Sequence, residues 1–241
     1  MIAALLKKAA DLFFPPARCL GCDEPRQLDA GAPLCAVCRQ ELERLRVPDS
    51  ACGHCLSPVR YGQPCSYCAH GGMAGLDQAF APFVYKDLVR KLIVSMKFGP
   101  VEAAAAPLGI EMALCVSGIR FDMLVPVPLH RSRLRERGMN QSTVLAGLVC
   151  EQTGIPVMEA LAKTRRIARQ SGLPAARRAT NVIGAFKVTG DVAGLDVLLV
   201  DDVRTTGATA RECARVLREA GARSVCLLCA AVARMGGIDG Q

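Results

Sequence analysis

The segment Val197-Leu198-Leu199-Val200-Asp201-Asp202-Val203-Arg204-Thr205-Thr206-Gly207-Ala208-Thr209 leaves this chain few folds to choose from. An apolar run ends in two adjacent carboxylates. A short turn carrying hydroxyls and a glycine follows, and a helical pattern opens directly after it. A run with no polar residue reads as a strand buried on both faces, the kind found in parallel sheets. Two carboxylates at the C-terminal edge of such a sheet are costly unless something pairs with them. That edge is also where open α/β sheets bind ligands. The carboxylates can accept hydrogen bonds from the 2′- and 3′-hydroxyls of a ribose. The turn can present backbone N–H groups and Thr hydroxyls to a 5′-phosphate. The pattern therefore points to a ribose 5-phosphate derivative. The plainer alternative makes Asp201 and Asp202 turn and capping residues after a core strand.

The flanking pattern agrees with an α/β fold. Strands are predicted over residues 79–85, 121–127, 181–188, 196–200 and 224–232. Helices are predicted over 86–98, 101–117, 140–153 and 209–220, stopped by Gly99-Pro100, Gly154-Ile155-Pro156 and Gly221. Alternation of this kind implies a parallel sheet with helices on both faces. Residues 161–180 are polar, Arg-rich and weakly patterned. Residues 1–14 read as a short amphipathic helix interrupted by Lys7, Lys8 and Asp11, and no segment is long enough to span a bilayer. A membrane-surface role for that helix is the alternative.

Three rival readings of the acidic strand end fail. A receiver domain needs a further Asp on a later strand, and the only later one is Asp239 in the tail. No Gly-Lys-Ser/Thr follows the strand, so a Walker A loop is absent. A dinucleotide fingerprint needs three spaced glycines, and only Gly207 is present.

The segment resembles the phosphoribosyl-pyrophosphate (PRPP) signature of type I phosphoribosyltransferases: apolar residues, two acids, a spacer, then Thr-Gly-x-Thr. By that resemblance Asp201 and Asp202 hold the ribose hydroxyls, and Thr205, Thr206, Gly207, Ala208 and Thr209 hold the 5′-phosphate. The run from Pro126 through Arg131, Arg133, Arg135 and Arg137 to Asn140-Gln141 is similar to a segment of the competence protein F (ComF) family. So are Gln170-Ser171-Gly172-Leu173, Arg177 and Asn181-Val182-Ile183-Gly184-Ala185-Phe186. The resemblance implies a diphosphate loop after the first core strand, with Pro128, Leu129 and Arg131 at the site. One or two of the four arginines would face it, since alternate positions cannot share one helix face. It also implies a loop that closes over the ligand from residues 163–178, with Arg165, Arg169 and Arg177 as candidates. A cationic loop would neutralise the leaving pyrophosphate and exclude water. Magnesium would arrive with PRPP, coordinated mainly by the ligand and water.

Thirteen cysteines look like a disulfide inventory, but eight of them form four CxxC pairs before residue 70. Cys19/Cys22 and Cys35/Cys38 are separated by twelve residues, Cys52/Cys55 and Cys65/Cys68 by nine. Each CxxC lets two thiolates of one tight turn grip the same ion, and two turns complete a tetrahedron. Two structural zinc sites follow. Sequential pairing closes the shorter loops, and interleaved ligation is the alternative. Cys226 and Cys229 also spell CxxC, but residues three apart on a strand point to opposite faces, so they read as core. An N-terminal double zinc ribbon also belongs to the ComF family. The expected units are a ribbon module over residues 1–72 and a phosphoribosyltransferase-like module over 76–235.

The formal charge is +8. Four thiolates and a divalent ion carry a net −2, so two zinc sites lower the balance to about +4. Paired CxxC without an export signal points to a reducing cytoplasm. Two functions fit: PRPP-dependent phosphoribosyl transfer to an acceptor, or single-stranded DNA handling, which the family name implies, alongside competence-associated protein partners. A PRPP sensor without turnover is a third. Stacking platforms for bases are sparse, with Tyr61 and Tyr67 in the ribbon and Tyr85 beyond it. An amidotransferase is disfavoured because the chain opens Met1-Ile2-Ala3, without a nucleophilic cysteine. Metal analysis of the purified protein is expected to return two zinc ions per chain, and a value of one or none would refute the double ribbon.

Overall fold

The computed structural model describes residues 18–24, 28, 32–59, 61–98, 101–165 and 182–233. The expected helix over 1–14, the candidates Arg169 and Arg177, and the tail after residue 233 lie outside them. The described chain forms a ribbon segment with two short helices, α1 (Ala36–Arg44) and α2 (Ser66–Ala69), followed by an α/β body. The body begins with β1 (Ala79–Phe80), β2 (Phe83–Val84), α3 (Asp87–Phe98), α4 (Val101–Cys115) and β3 (Met123–Pro126). It continues with α5 (Arg131–Arg137), α6 (Gln141–Thr153), β4 (Leu161–Lys163) and β5 (Phe186–Val188). It closes with β6 (Asp196–Arg204), α7 (Ala208–Glu219) and β7 (Ser224–Val232). The main sheet has the order β1-β7-β6-β3, with β2 also on β7, and every pairing is parallel.

Alternation along the strands sorts the core into two layers. Leu124, Leu198, Val200, Cys226 and Leu228 face α3, α4 and α6, where Leu92, Ile93, Met96, Leu108, Met112 and Leu145 are buried. Met123, Val125, Val197, Leu199, Val225 and Leu227 face the other way, toward Cys213, Ala214 and Leu217 of α7. Cys226 and Cys229 are both buried and fall in different clusters, as the strand period requires. Each buried aliphatic side chain contributes about 1.5–3 kcal/mol. The run Val197–Val200, buried on both faces, therefore pins β6 firmly between β3 and β7.

Four local expectations change. The strand expected over 79–85 breaks into β1 and β2. β6 runs on through both acids to Arg204, because β7 offers Cys229, Ala231 and Val232 as partners for Asp201, Val203 and Arg204. Residues 182–184 form a turn, and β5 pairs antiparallel with β4 outside the main sheet. β4 itself lies in a stretch whose polar composition hid it.

The two ribbon halves straddle the β1–β2 edge of the sheet. Cys19, Leu34, Cys35, Cys38 and Leu42 join the α3 layer, while Cys55 and Met73 join the α7 layer. Between them Val47 N–H donates to the Pro82 carbonyl (2.9 Å), and Val84 N–H donates to that of Leu45 (2.8 Å). Ala79 N–H donates to the His54 carbonyl (2.9 Å). The ribbon thus covers backbone groups that an edge strand would otherwise expose.

Helices α4 and α6 approach closely at Gly109. A Cβ there would lie 2.6 Å from the Leu148 Cβ. Gly109→Ala is therefore expected to lower the melting temperature measured by circular dichroism. The overlap at a Cβ outweighs the about 1 kcal/mol of helix propensity regained. A higher melting temperature would show that the two helices separate freely.

Candidate functional site and metal clusters

The eight ribbon cysteines gather into two sets, Cys19/Cys22/Cys35/Cys38 and Cys52/Cys55/Cys65/Cys68, each with all sulfurs within 4.8 Å of one another. A tetrahedral zinc site with Zn–S bonds of about 2.3 Å has sulfur–sulfur edges of about 3.8 Å. The Cys22–Cys35, Cys52–Cys68 and Cys55–Cys65 separations are 4.0, 3.9 and 3.4 Å. The donor sets fit zinc, and the grouping is sequential. Backbone N–H groups point at the sulfurs: Cys35 N–H at Cys19 Sγ (3.2 Å) and Ser57 N–H at Cys55 Sγ (3.4 Å). Such outer contacts orient thiolate ligands. His54 stands beside the second set, its Nδ1 3.6 Å from Cys68 Sγ, while His70 Nδ1 lies 2.7 Å from the Ser66 carbonyl oxygen. Four thiols complete each set without either ring.

At the C-terminal edge of the main sheet, the loops after β3 and β6 emerge side by side. Pro126 is in register with Val200, and Val127 N–H donates to the Val200 carbonyl (2.9 Å). Pro128 and Leu129 are half-buried in the β3 loop, and Arg131 is exposed at the start of α5. Asn140 ties this loop to α6: its Nδ2 donates to the Val127 carbonyl (3.0 Å), and its Oδ1 accepts from Ser142 N–H (3.2 Å) as the helix N-cap. Such a cap contributes about 1 kcal/mol. All peptide bonds in the described residues, Pro126 and Pro128 included, are trans.

Asp201 and Asp202 sit on β6 beside this loop. Asp201 Oδ1 accepts from Ser142 Oγ (3.2 Å) and from Asp202 N–H (2.9 Å). Asp202 Oδ1 accepts from Val203 N–H (2.7 Å), and its Oδ2 pairs with Lys97 Nζ at 2.7 Å. The Lys97 and Asp202 side chains are 18% and 20% exposed, so the pair is only weakly screened by water. Burial, and after it the charge of Asp202, raises the Asp201 carboxyl from 3.8 to about 7. Past Arg204, Thr205 is exposed and Thr206 half-buried, and Gly207 takes a φ of 68° as the residue preceding α7. A left-handed φ at that point suits glycine. Ala208 and Thr209 form the first turn of α7, whose N–H groups lack intrahelical partners.

The structure thus brings together Asp201, Asp202, the 205–209 turn and the β3 loop. Of the cationic residues expected nearby, Arg131 and Arg135 are exposed on α5, and Arg137 donates to Gln141 Oε1 (3.1 Å). Arg165 donates to the Ile183 carbonyl (2.7 Å). The sequence reading missed Lys97, Ser142, Lys163 and Arg204. Lys97 is the last basic residue before a Gly-Pro stop, and only the fold sets it against Asp202. Lys163, on β4, has its Nζ 5.0 Å from the Phe186 ring centroid, and burial lowers its ammonium below its ordinary range. Arg204 was visible as a long cation inside a turn of small residues. Its direction, into the ribbon, was not.

A family profile described as Double zinc ribbon domain matches residues 9–69. The DNA utilization protein YhgH of Salmonella typhimurium is 31% identical over 223 residues, covering 89% of this chain and 96% of that protein. Competence protein F of Haemophilus influenzae is 28% identical over 204 residues, covering 80% of this chain and 87% of that protein. A solved glutamine PRPP amidotransferase from B. subtilis, complexed with ADP and GMP, is 32% identical with a TM-score of 0.38, over 53% of this chain and 26% of that chain. The parallel sheet and the paired cysteine sets define an α/β protein with a double zinc ribbon. The chain belongs to the ComF family.

The raised Asp201 carboxyl has a consequence for stability. In the fold it keeps its proton up to about pH 7, whereas the unfolded chain releases it near 3.8. Stability therefore falls as pH rises between those values. Asp201→Asn removes the titration. It is expected to raise the melting temperature relative to the parent at pH 8 and to leave it unchanged at pH 4. Equal effects at both pH values would show that Asp201 ionises normally.

Proposed function

We propose that the chain binds PRPP at the β6–α7 turn and transfers its phosphoribosyl group to an acceptor. The observation that carries this reading is the pair Asp201 and Asp202 on a strand that leads straight into the 205–209 turn and the N-terminus of α7. Carboxylates at one end and unpaired N–H groups at the other match the two ends of a ribose 5-phosphate. Asp202, already held by Lys97, and Asp201, held by Ser142 and a backbone N–H, would accept the 2′- and 3′-hydroxyls. The β3 loop over Val127, Pro128, Leu129 and Arg131 would receive the diphosphate. Magnesium, carried by the diphosphate, would supply charge neutralisation. In this reaction the bond from the anomeric carbon to the diphosphate oxygen breaks as the acceptor's lone pair attacks that carbon. The developing positive charge on the ring then lies near two carboxylates, where preorganised charge stabilises it. Residues 1–72 and 76–235 act in this reading as a metal-held module and a ligand-binding module.

A second reading rests on the relatives' names, DNA utilization protein and competence protein F. In it the same cradle holds the pentose phosphate of a single strand. The aromatic inventory works against base stacking: Tyr67 lies beneath Arg204, leaving Tyr61 as the exposed ribbon tyrosine.

Calorimetric titration with PRPP and magnesium, with ribose 5-phosphate as control, tests the proposal. Saturable binding that requires the pyrophosphate is expected. Asp201→Asn with Asp202→Asn is expected to weaken it by about 100-fold or more, since hydrogen bonds to charged acceptors are lost, while fold and zinc content persist. Undiminished affinity in the folded double variant would sink the site. Absence of PRPP binding together with salt-sensitive binding of single-stranded DNA would favour the second reading.

A further inference from the structure

The second cysteine cluster is built into the wall of the phosphate turn. Arg204, two residues after Asp202, is 2% exposed. Its Nη2 donates to the carbonyl of Cys55 (2.7 Å) and to Ser57 Oγ (3.3 Å). Its guanidinium carbon lies 4.7 Å from the centroid of the Tyr67 ring. Nε and Nη1 have no hydrogen-bond partner. A buried guanidinium is tolerated only while its partners stay in place. All of those partners belong to the ribbon: Cys55 is in the cysteine set, Ser57 N–H points at its sulfur, and Tyr67 sits between Cys65 and Cys68.

The turn itself is held from the same side. The Thr206 carbonyl accepts from Tyr67 Oη (3.3 Å) and from Arg211 Nη1 (2.8 Å), and Arg211 Nη1 also reaches the Gly72 carbonyl (3.2 Å). A trans peptide sets the N–H opposite the C=O. Fixing the Thr206 carbonyl toward the ribbon therefore turns the Gly207 N–H away from it, to the other side of the turn. The packing leaves no slack, because a Cβ at Gly207 would overlap the Tyr67 hydroxyl and one at Gly72 would overlap its ring. The first cysteine set lies on the opposite face, where the Gly21 carbonyl accepts from Lys91 of α3.

We propose that Arg204, Tyr67 and Arg211 are positioning residues that couple zinc in the Cys52/Cys55/Cys65/Cys68 site to the shape of the 205–209 turn. The ligand consequence rests on the PRPP reading above, while the shape of the turn does not. With zinc bound, the ribbon keeps Arg204 compensated and the Thr206 peptide oriented. Loss of that metal by chelation frees Cys55, Ser57 and Tyr67 together, and the turn loses its support. Linkage makes the effect reciprocal, so a ligand on the turn must tighten zinc binding at the second site.

Hydrogen exchange of the zinc-loaded full chain tests the coupling without any ligand. Cys52→Ser with Cys65→Ser, and separately Tyr67→Ala, are expected to speed exchange at residues 211–213 by roughly tenfold, because Arg211 N–H donates to the Gly207 carbonyl (2.9 Å) and so reports the turn that opens α7. The residues of β6 from 197 to 200 stay protected, reporting an intact sheet. Cys22→Ser with Cys35→Ser, which removes the first site, leaves 211–213 unchanged. Tyr67→Phe, which keeps the ring under Arg204, restores most of the protection. In the parent protein, saturating PRPP is expected to raise the zinc affinity of one of the two sites by a similar factor in equilibrium competition with a chelator. Unchanged exchange at 211–213 after loss of the second site, or equal loosening by loss of either site, would overturn the proposal. Failure of PRPP to bind would overturn the functional reading and leave the exchange result standing.

Discussion

Two adjacent carboxylates held half-buried on one strand repel each other and lose hydration, and most of the site is arranged to compensate them. Asp202 takes Lys97 from the end of α3, and Asp201 takes Ser142 from the start of α6. Each also accepts the next backbone N–H along β6. The compensation is incomplete at Asp201, whose carboxyl sits at about 7. A protein selected for stability alone would place an apolar residue there. Under the proposed PRPP reading, the ligand's hydroxyls would supply the partners the pair still lacks.

The scaffold around that pair is stiff where the pair needs it. β7 is buried from Val225 to Val232 and β6 from Val197 to Val200, and their pairing carries the strand past the acids to Arg204. Asn140 closes the β3 loop onto α6, so the same helix start that caps on Asn140 delivers Ser142 to Asp201. Gln141 Nε2 donates to the Met96 carbonyl (3.2 Å), one residue before Lys97. Three consecutive residues thus bind the β3 loop, the α3 terminus and the acidic strand into one unit.

The ribbon has too little apolar material to form a core of its own, and the two cysteine sets supply the missing cross-links. Their placement on opposite faces of the β1–β2 edge gives one metal site to each core layer. Several sequence readings met their match in this arrangement. The sequential cysteine grouping followed from loop length, and the opposed faces of Cys226 and Cys229 from the strand period. Others failed for identifiable reasons. The short β4 carries only three residues, and its partner β5 lies distant in sequence, so no local periodicity announced it. The end of β6 was misplaced because polarity was read as the end of a strand, whereas cross-strand pairing extended it.

The sequence by itself determined the parts whose physics is local. A thiolate pair three residues apart grips one ion whatever surrounds it, an unbroken apolar run seeks a strand buried on both faces, and a glycine before a helix admits a left-handed turn. These settled the double ribbon, the parallel sheet and the position of the acidic turn. Only the tertiary structure decided which distant groups meet that turn. Lys97 lies far from Asp202 along the chain, and Tyr67 farther still from Thr206. Their encounter depends on the order of strands and the packing of helices on each face. Such contacts carry no periodicity, because each is one residue meeting one other across a long loop of chain.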